Sequence, residues 1–306
     1  METQTLSTAA EHAVYFKEFI KSLAEKFQPL QIFCFAKSST LNESSGCFID
    51  DQSTYTCNYC LLLVTESNIR IDFEVQEFAN RYYKQGSMII LSHSRENLEN
   101  AINANDRFFI TASTTEQLIY SHDGISQCDP SIPFIPTQSA VKANKDLAHR
   151  IPLAAGFLNG AGECLSKSQF AVCTFMLHQV VEQCLITLIG AYMGYRTEFH
   201  NIIRLLGISR AFSEQPFNLL TSGGTEGQRL FDVLAKSYSG ARYSDAFTVN
   251  EEDAKALYQK VADFDRLAKA MCKRKIKQLE ATATRYRELH KADIETTDHQ
   301  LAGALL

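Results

Sequence analysis

A chain of 306 residues, 45% hydrophobic and 21% charged, has the length for two domains and the apolar content to bury a core in each. Its formal net charge of −5 excludes a surface coated throughout for a nucleic-acid backbone, because neutralising phosphate needs clustered Lys and Arg; only a local basic patch is compatible with it. Nine cysteines, odd in number and irregular in spacing, read as reduced, buried thiols in a reducing compartment, so a cytoplasmic protein is expected. The N-terminal METQTLSTAAEH has neither a basic n-region nor an apolar h-region, and no secretory signal is expected. No membrane span is expected either, because the longest apolar stretch, 170–189, is interrupted by His178, Gln179, Glu182 and Gln183.

In chain order, Ala13, Phe16, Ile20, Leu23 and Phe27 recur at helical spacing over residues 9–27, and Pro29 ends that helix. Gln31–Ala36 (QIFCFA) is a short apolar run and predicts a buried strand, followed by a polar loop, KSSTLNESSG. CLLLV at 60–64 predicts a second buried strand, 71–83 a helix, SMIILS at 87–92 a third strand and 95–103 a short helix. Further strands are expected at 108–111 and 118–120. Helices alternating with buried strands define an α/β layer over residues 1–123.

Residues 124–144 read as a linker, because 124–139 hold three of the six prolines. Beyond them, over 145–306, every strong pattern is helical. One helix is expected from Lys145 to about Ser166, loosened by Pro152 and by Gly160-Ala161-Gly162. The segment 169–192 carries two apolar stripes, Phe170 to Leu188 and Val172 to Ile186, so it is either central in a bundle or shared with a second subunit. A short helix opens at His200–Leu206 and a loop spans 213–224. Thr225 with Gln228 suits a capping box for a helix running to about Ser239. A last helix starts near Asn250 and continues to Met271; the tail after 273 is polar but helix-prone, and the last residues are expected to fray.

In the first half, a strand, a small-polar loop and a second strand reading NYCLLLV resemble a minimal nucleotidyltransferase over about residues 10–120. The resemblance implies a Gly-Ser turn that cradles the triphosphate and an Asp-x-Asp pair holding two Mg²⁺. The pair sits on one strand because residues i and i+2 face the same side. Here Ala36-Lys37-Ser38-Ser39 stand at the turn and Asn58 and Cys60 at the carboxylates. Neither an amide nor a thiol suits Mg²⁺, a hard cation, and Asp50 and Asp51 are adjacent and upstream. A degenerate domain is expected, with no metal and no cofactor. Cys57-x-x-Cys60 reads as two inert thiols, since a zinc site wants a second pair and a redox pair wants a helix N-terminus.

In the second half three segments, in order, resemble the HEPN domain over about residues 146–272. They are Phe175–Leu185 with Glu182 recessed among apolar residues, Phe199–Leu206 as a His-initiated helix start, and Ala241-Arg242-Tyr243-Ser244-Asp245 as the turn before the last core helix. The resemblance implies an all-α bundle. Its RNase members carry an Arg-x4-6-His motif, but residues 246–248 after Arg242 are Ala, Phe and Thr. Arg285-x4-His290 fits the spacing and reads as a solvated helix face. Non-catalytic members imply nucleotide binding instead, which makes Arg242, Tyr243, His200, Arg196 and Glu182, with Ser38 and Ser39 of the first half, the candidate ligand residues. The competing structural reading has His200 cap its helix and Arg242 pair with Glu182.

The expectation is thus a nucleotidyltransferase-like α/β domain joined to a HEPN-like helical bundle, a non-catalytic nucleotide-binding or regulatory module dimerising through helix 169–192. The alternatives are an enzyme (a metal-independent RNase, or a transferase with atypical residues) and an interaction scaffold in a toxin–antitoxin or defence pair. The dense basic run Lys273-Arg274-Lys275-Ile276-Lys277 reads as a helix end, where cations complement the dipole, with nucleic acid as the other partner it would suit.

Overall fold

The computed structural model describes residues 9–46, 49–114, 117–124 and 133–291, with the backbone alone for 9, 42–46 and 49–54. The chain divides into two compact units, Met1–Phe134 and Ile135–Leu306.

The first unit runs α1 (Ala9–Phe27), β1 (Gln31–Gly46), β2 (Ile49–Thr65), α2 (Asp72–Tyr82), β3 (Met88–Ser94), α3 (Arg95–Asn103), α4 (Arg107–Ala112) and β4 (Leu118–Ser121). Its sheet has the order β3-β2-β1-β4. β1 is antiparallel to β2 and β4, and β2 is parallel to β3, so the sheet is mixed. A parallel pair needs a crossover, which α2 supplies. Alternation along β2 sends Cys57, Tyr59, Leu61 and Leu63 into one core with Phe19, Ile20 and Leu23 of α1 and Val75, Phe78 and Ala79 of α2. Cys60, Leu62 and Val64 are buried on the opposite face, which is why CLLLV reads as an unbroken apolar run. Cys57 and Cys60 therefore point to opposite sides of the sheet and cannot share a metal or a disulfide.

Two expectations about this unit are corrected. The segment KSSTLNESSG is not a loop: β1 continues through it to Gly46, with Ser38 opposite Asn58 and Ser39 opposite Cys57. The ladder's backbone hydrogen bonds hold these polar residues extended, and hydropathy does not register such bonds. Residues 108–111 are helical, in α4. Asp106 caps that helix, its Oδ1 accepting from the N–H groups of Phe108 at 2.9 Å and Phe109 at 3.3 Å. An aromatic pair in so short a run fits either state, and the cap decides it.

The second unit is all helical: a 3₁₀ turn at Pro136–Gln138, then α5 (Ser139–Ser166), α6 (Phe170–Met193), α7 (Ile202–Ser209), α8 (Gln215–Thr221), α9 (Gly224–Tyr243) and α10 (Glu251–Leu289). α6 is its centre, packed against α5, α7, α9 and α10. Cys173, Leu177, Val181, Cys184, Leu185 and Leu188 of its first stripe are all fully buried. By length and composition alone α6 is long and apolar enough to cross a membrane, contrary to the expectation, but 67% of its most apolar window is buried within the bundle.

Several boundaries differ from those expected. α5 begins at Ser139, so residues 139–144 of the expected linker are helical, and it runs unbroken through Pro152. The expected loop 213–224 contains α8, with Pro216 in its first turn, where a missing N–H costs nothing. The capping box is not formed: Gly223 is the N-cap, without a side-chain bond, and Gln228 donates to Asp232. α9 reaches Tyr243 rather than Ser239, placing Arg242 and Tyr243 in its last turn. The helix-prone tail after 273 is helical, as part of α10; the last residues of the chain, where fraying is expected, lie outside the described residues. Ile276, Leu279 and Ala283 are buried and carry the helix to Leu289, so the basic run lies mid-helix and not at a helix end.

Gly156 lies exposed inside α5, with nothing within 4 Å of where a Cβ would stand. Gly156→Ala is expected to stabilise the protein by about 0.5–1 kcal/mol, through the lower entropy of the unfolded chain. A urea midpoint at or below that of the parent would refute this.

Candidate functional site

His178 and Glu182 stand four residues apart on α6, hence on one face, 1% and 3% exposed among apolar neighbours. α7 approaches that face. Its N-cap is Asn201, whose Oδ1 accepts from the N–H groups of Ile203 and Arg204 at 3.0 and 3.1 Å. His200, one residue earlier, is thereby delivered to Glu182, with Nδ1 2.8 Å from Oε1. The structural reading of the sequence is corrected on both counts: Asn201, not His200, caps the helix, and His200, not Arg242, satisfies the buried carboxylate.

The second oxygen, Oε2, lies 4.0 Å from His178 Nδ1 and has no hydrogen-bond partner among the described residues. His178 Nδ1 instead sits 3.3 Å from the Gln179 amide nitrogen, and accepting from it places the ring proton on Nε2. Its ring packs on Tyr238 at 5.1 Å between centroids. Burial, then the positive charge of Arg242 and of His200, pushes His178 down to about 4, so it is neutral at physiological pH.

A pocket of about 450 Å³ opens here, lined among others by His178, His200, Asn201, Asp232, Lys236 and Tyr238. Its size falls in the usual range for small-molecule sites. Oriented by a buried carboxylate through Nδ1, the His200 imidazole keeps Nε2 for a ligand, and its side chain is 63% exposed. Lys236 adds an exposed cation and Tyr238 a ring.

The other expected residues fall outside the lining. Arg242 is exposed at the end of α9, where its Nε donates to the Tyr238 carbonyl at 2.7 Å. Its guanidinium lies 4.2 Å from the Tyr238 ring centroid, 4.9 Å from that of Tyr243 and 5.4 Å from that of Phe175. Tyr243 is 78% exposed, and Arg196 is exposed in the segment between α6 and α7. Ser38 and Ser39 belong to the first unit and form no turn. Ser38 Oγ accepts from Asn58 Nδ2 at 3.4 Å, while Asn58 Oδ1 accepts from Ser87 N and Oγ at 3.1 and 2.6 Å. The amide at the expected metal position is thus a tie between β1, β2 and the start of β3. Among the described residues no three His, Cys, Asp or Glu side chains gather to hold a metal ion.

Sequence reasoning missed His178, Asp232, Lys236 and Tyr238. The i, i+4 spacing of His178 and Glu182 within an apolar helix was the available signal, whereas Asp232, Lys236 and Tyr238 reach the pocket only through helix packing.

A mixed-sheet α/β unit thus precedes an all-helical bundle whose pocket is lined by two histidines, one of them bonded to a buried carboxylate. Residues 150–294 match the family model of the HEPN domain, a span running from within α5 past the end of α10. The second unit thus carries a HEPN domain, at residues 150–294. No curated protein matches the sequence.

Proposed function

We propose that the HEPN pocket binds a nucleotide, and that the protein is a ligand-binding or regulatory module of the nucleotidyltransferase–HEPN type. The observation that carries this reading is the 2.8 Å bond between buried Glu182 and His200 at the wall of an open pocket. A buried carboxylate is costly unless it is paired, and here the pairing fixes an imidazole beside an exposed lysine and a tyrosine ring. Lys236 and His200 suit phosphate, and Tyr238 suits a base. The first unit enters as a nucleotidyltransferase-like domain without its metal chemistry, since Asn58 stands in place of a carboxylate. A homodimer belongs to the same reading, formed at the part of 169–192 left uncovered: Val172 is 42% exposed beside half-buried Phe175 and Met176.

The test is calorimetric titration with AMP, ATP and GTP in the presence of EDTA, with mass measured by light scattering on the same samples. Saturable binding is expected without divalent metal, weakened about tenfold in Lys236→Ala and in His200→Ala. Absence of heat at millimolar nucleotide would sink the reading. The Glu182–His200 bond also favours a second one, in which His200 moves a proton in metal-independent phosphodiester cleavage. Cleavage of an RNA oligonucleotide in EDTA, abolished in His200→Ala, would establish that alternative.

A further inference from the structure

Between Arg266 and Arg287, α10 carries eight cations and one carboxylate, Glu280. Ala268, Met271, Cys272, Ile276, Leu279 and Ala283 form its buried side, so most of the charge is turned outward. Half of the cations are already engaged. Arg266 pairs with Asp263 and Lys269 with Asp265, Lys275 lies over the Tyr192 ring, and Arg287 donates to the Thr137 carbonyl. Lys273, Arg274, Lys277 and Arg285 are exposed, with no ion pair or hydrogen bond among the described residues.

The helix dipole does not account for them, because its influence is confined to the last turn and α10 continues to Leu289. Lys273 and Lys277, four residues apart, repel each other by a few tenths of a kcal/mol in an isolated helix. The stripe spans about 18 Å from Lys273 to Arg285 at 1.5 Å per residue. Its outward neighbours, Gln278, Ala281, Thr282 and Thr284, include no large apolar side chain of the kind a membrane-surface helix buries. We infer that this face of α10 binds the phosphate backbone of a nucleic acid, with Lys273, Arg274, Lys277 and Arg285 replacing its counterions. The site is separate from the nucleotide pocket, and a protein of net charge −5 has no general attraction for polyanions to mask it.

The experiment is fluorescence anisotropy of the full chain with a labelled 20-nucleotide RNA and a 20-base-pair DNA duplex, from 50 to 200 mM KCl. Binding is expected at 50 mM, and the log–log salt slope on the duplex should be about −3 for three to four phosphate contacts. The triple variant Lys273→Gln/Arg274→Gln/Lys277→Gln should lose most of that slope and at least tenfold in affinity, whereas Lys17→Gln, at an exposed cation of α1 outside both sites, should change neither. Lys273→Gln alone, a milder change on an exposed position, should flatten the slope by about one. Failure to bind either probe at 50 mM, or binding indifferent to these substitutions, would overturn the proposal. So would a preference for phosphatidylserine vesicles, or for an acidic polypeptide, over both probes.

Discussion

Gly86→Ala is expected to destabilise the N-terminal unit by about 3 kcal/mol or more, read as a lower urea midpoint of the sheet-containing unit. Gly86 has φ +141°, a conformation side chains rarely adopt, and a Cβ built there would stand 2.0 Å from the carbonyl oxygen of Cys57 and 2.8 Å from its carbon. Both are backbone atoms of β2, so no side-chain rotation relieves the clash. The segment around Gly86 also sets the parallel register. Cys57 N donates to Gln85 O and Tyr59 N to Ser87 O, each at 3.0 Å, just before Tyr59 comes opposite Met88. Moving Gly86 away would break those bonds at the point where β3 joins the sheet. Gly156→Ala, the same chemical change in open space, is the control. If the two variants melt alike, the close approach of Gly86 to β2 is wrong.

The second large effect is a loss of stability in mild acid that depends on His178. Its imidazole titrates at about 4 in the folded protein against an ordinary value of 6.5. Between those values the unfolded chain binds the extra proton and the native state does not, so stability rises with pH across that window. The contribution is fully present above pH 6.5 and is lost as pH falls towards 4, amounting to about 3 kcal/mol in all. In His178→Phe, which keeps a ring against Tyr238, the difference in unfolding free energy between pH 7 and pH 4.5 should shrink by about 2–3 kcal/mol. Because the readout is a difference between two pH values, any uniform cost of the substitution drops out. An unchanged pH dependence would show that His178 accepts its proton without penalty.

Where the apolar period was strong, the fold was legible from the chain itself. CLLLV and SMIILS announced β2 and β3, and the stripes of α1, α6 and α10 announced their helices, because burial imposes a 2.0 or 3.6 period that side chains must obey. The polar half of β1 was illegible for the converse reason. A Ser- and Thr-rich strand is held by backbone hydrogen bonds to its partner, and those leave no mark on hydropathy. The same holds for α8, a seven-residue helix placed by its neighbours. The second half of α10 was legible as helix-prone, but its Ile276, Leu279 and Ala283 are too sparse to show that it continues the core helix.

The candidate site divides along the same line. Glu182, a carboxylate recessed in an apolar helix, and His200 beside the start of the next helix were identifiable as residues. Their partnership was not: Arg242 read as the match for the carboxylate and His200 as the cap of its helix. Tertiary packing chose between them: Asn201 takes the cap, which swings His200 onto Glu182, while α9 runs one turn further than its pattern suggests and turns Arg242 onto the rings of Tyr238 and Tyr243. By itself the sequence determined two units, their classes, the HEPN likeness and which buried group would need a partner. Local patterns encode burial and period, and those properties follow from them. Which partner that group received, where the basic run of α10 falls on its helix, and that Ser38 lies in a ladder rather than a turn were decided by the tertiary structure. Each depends on the distance between residues far apart in the chain, a quantity no local pattern carries.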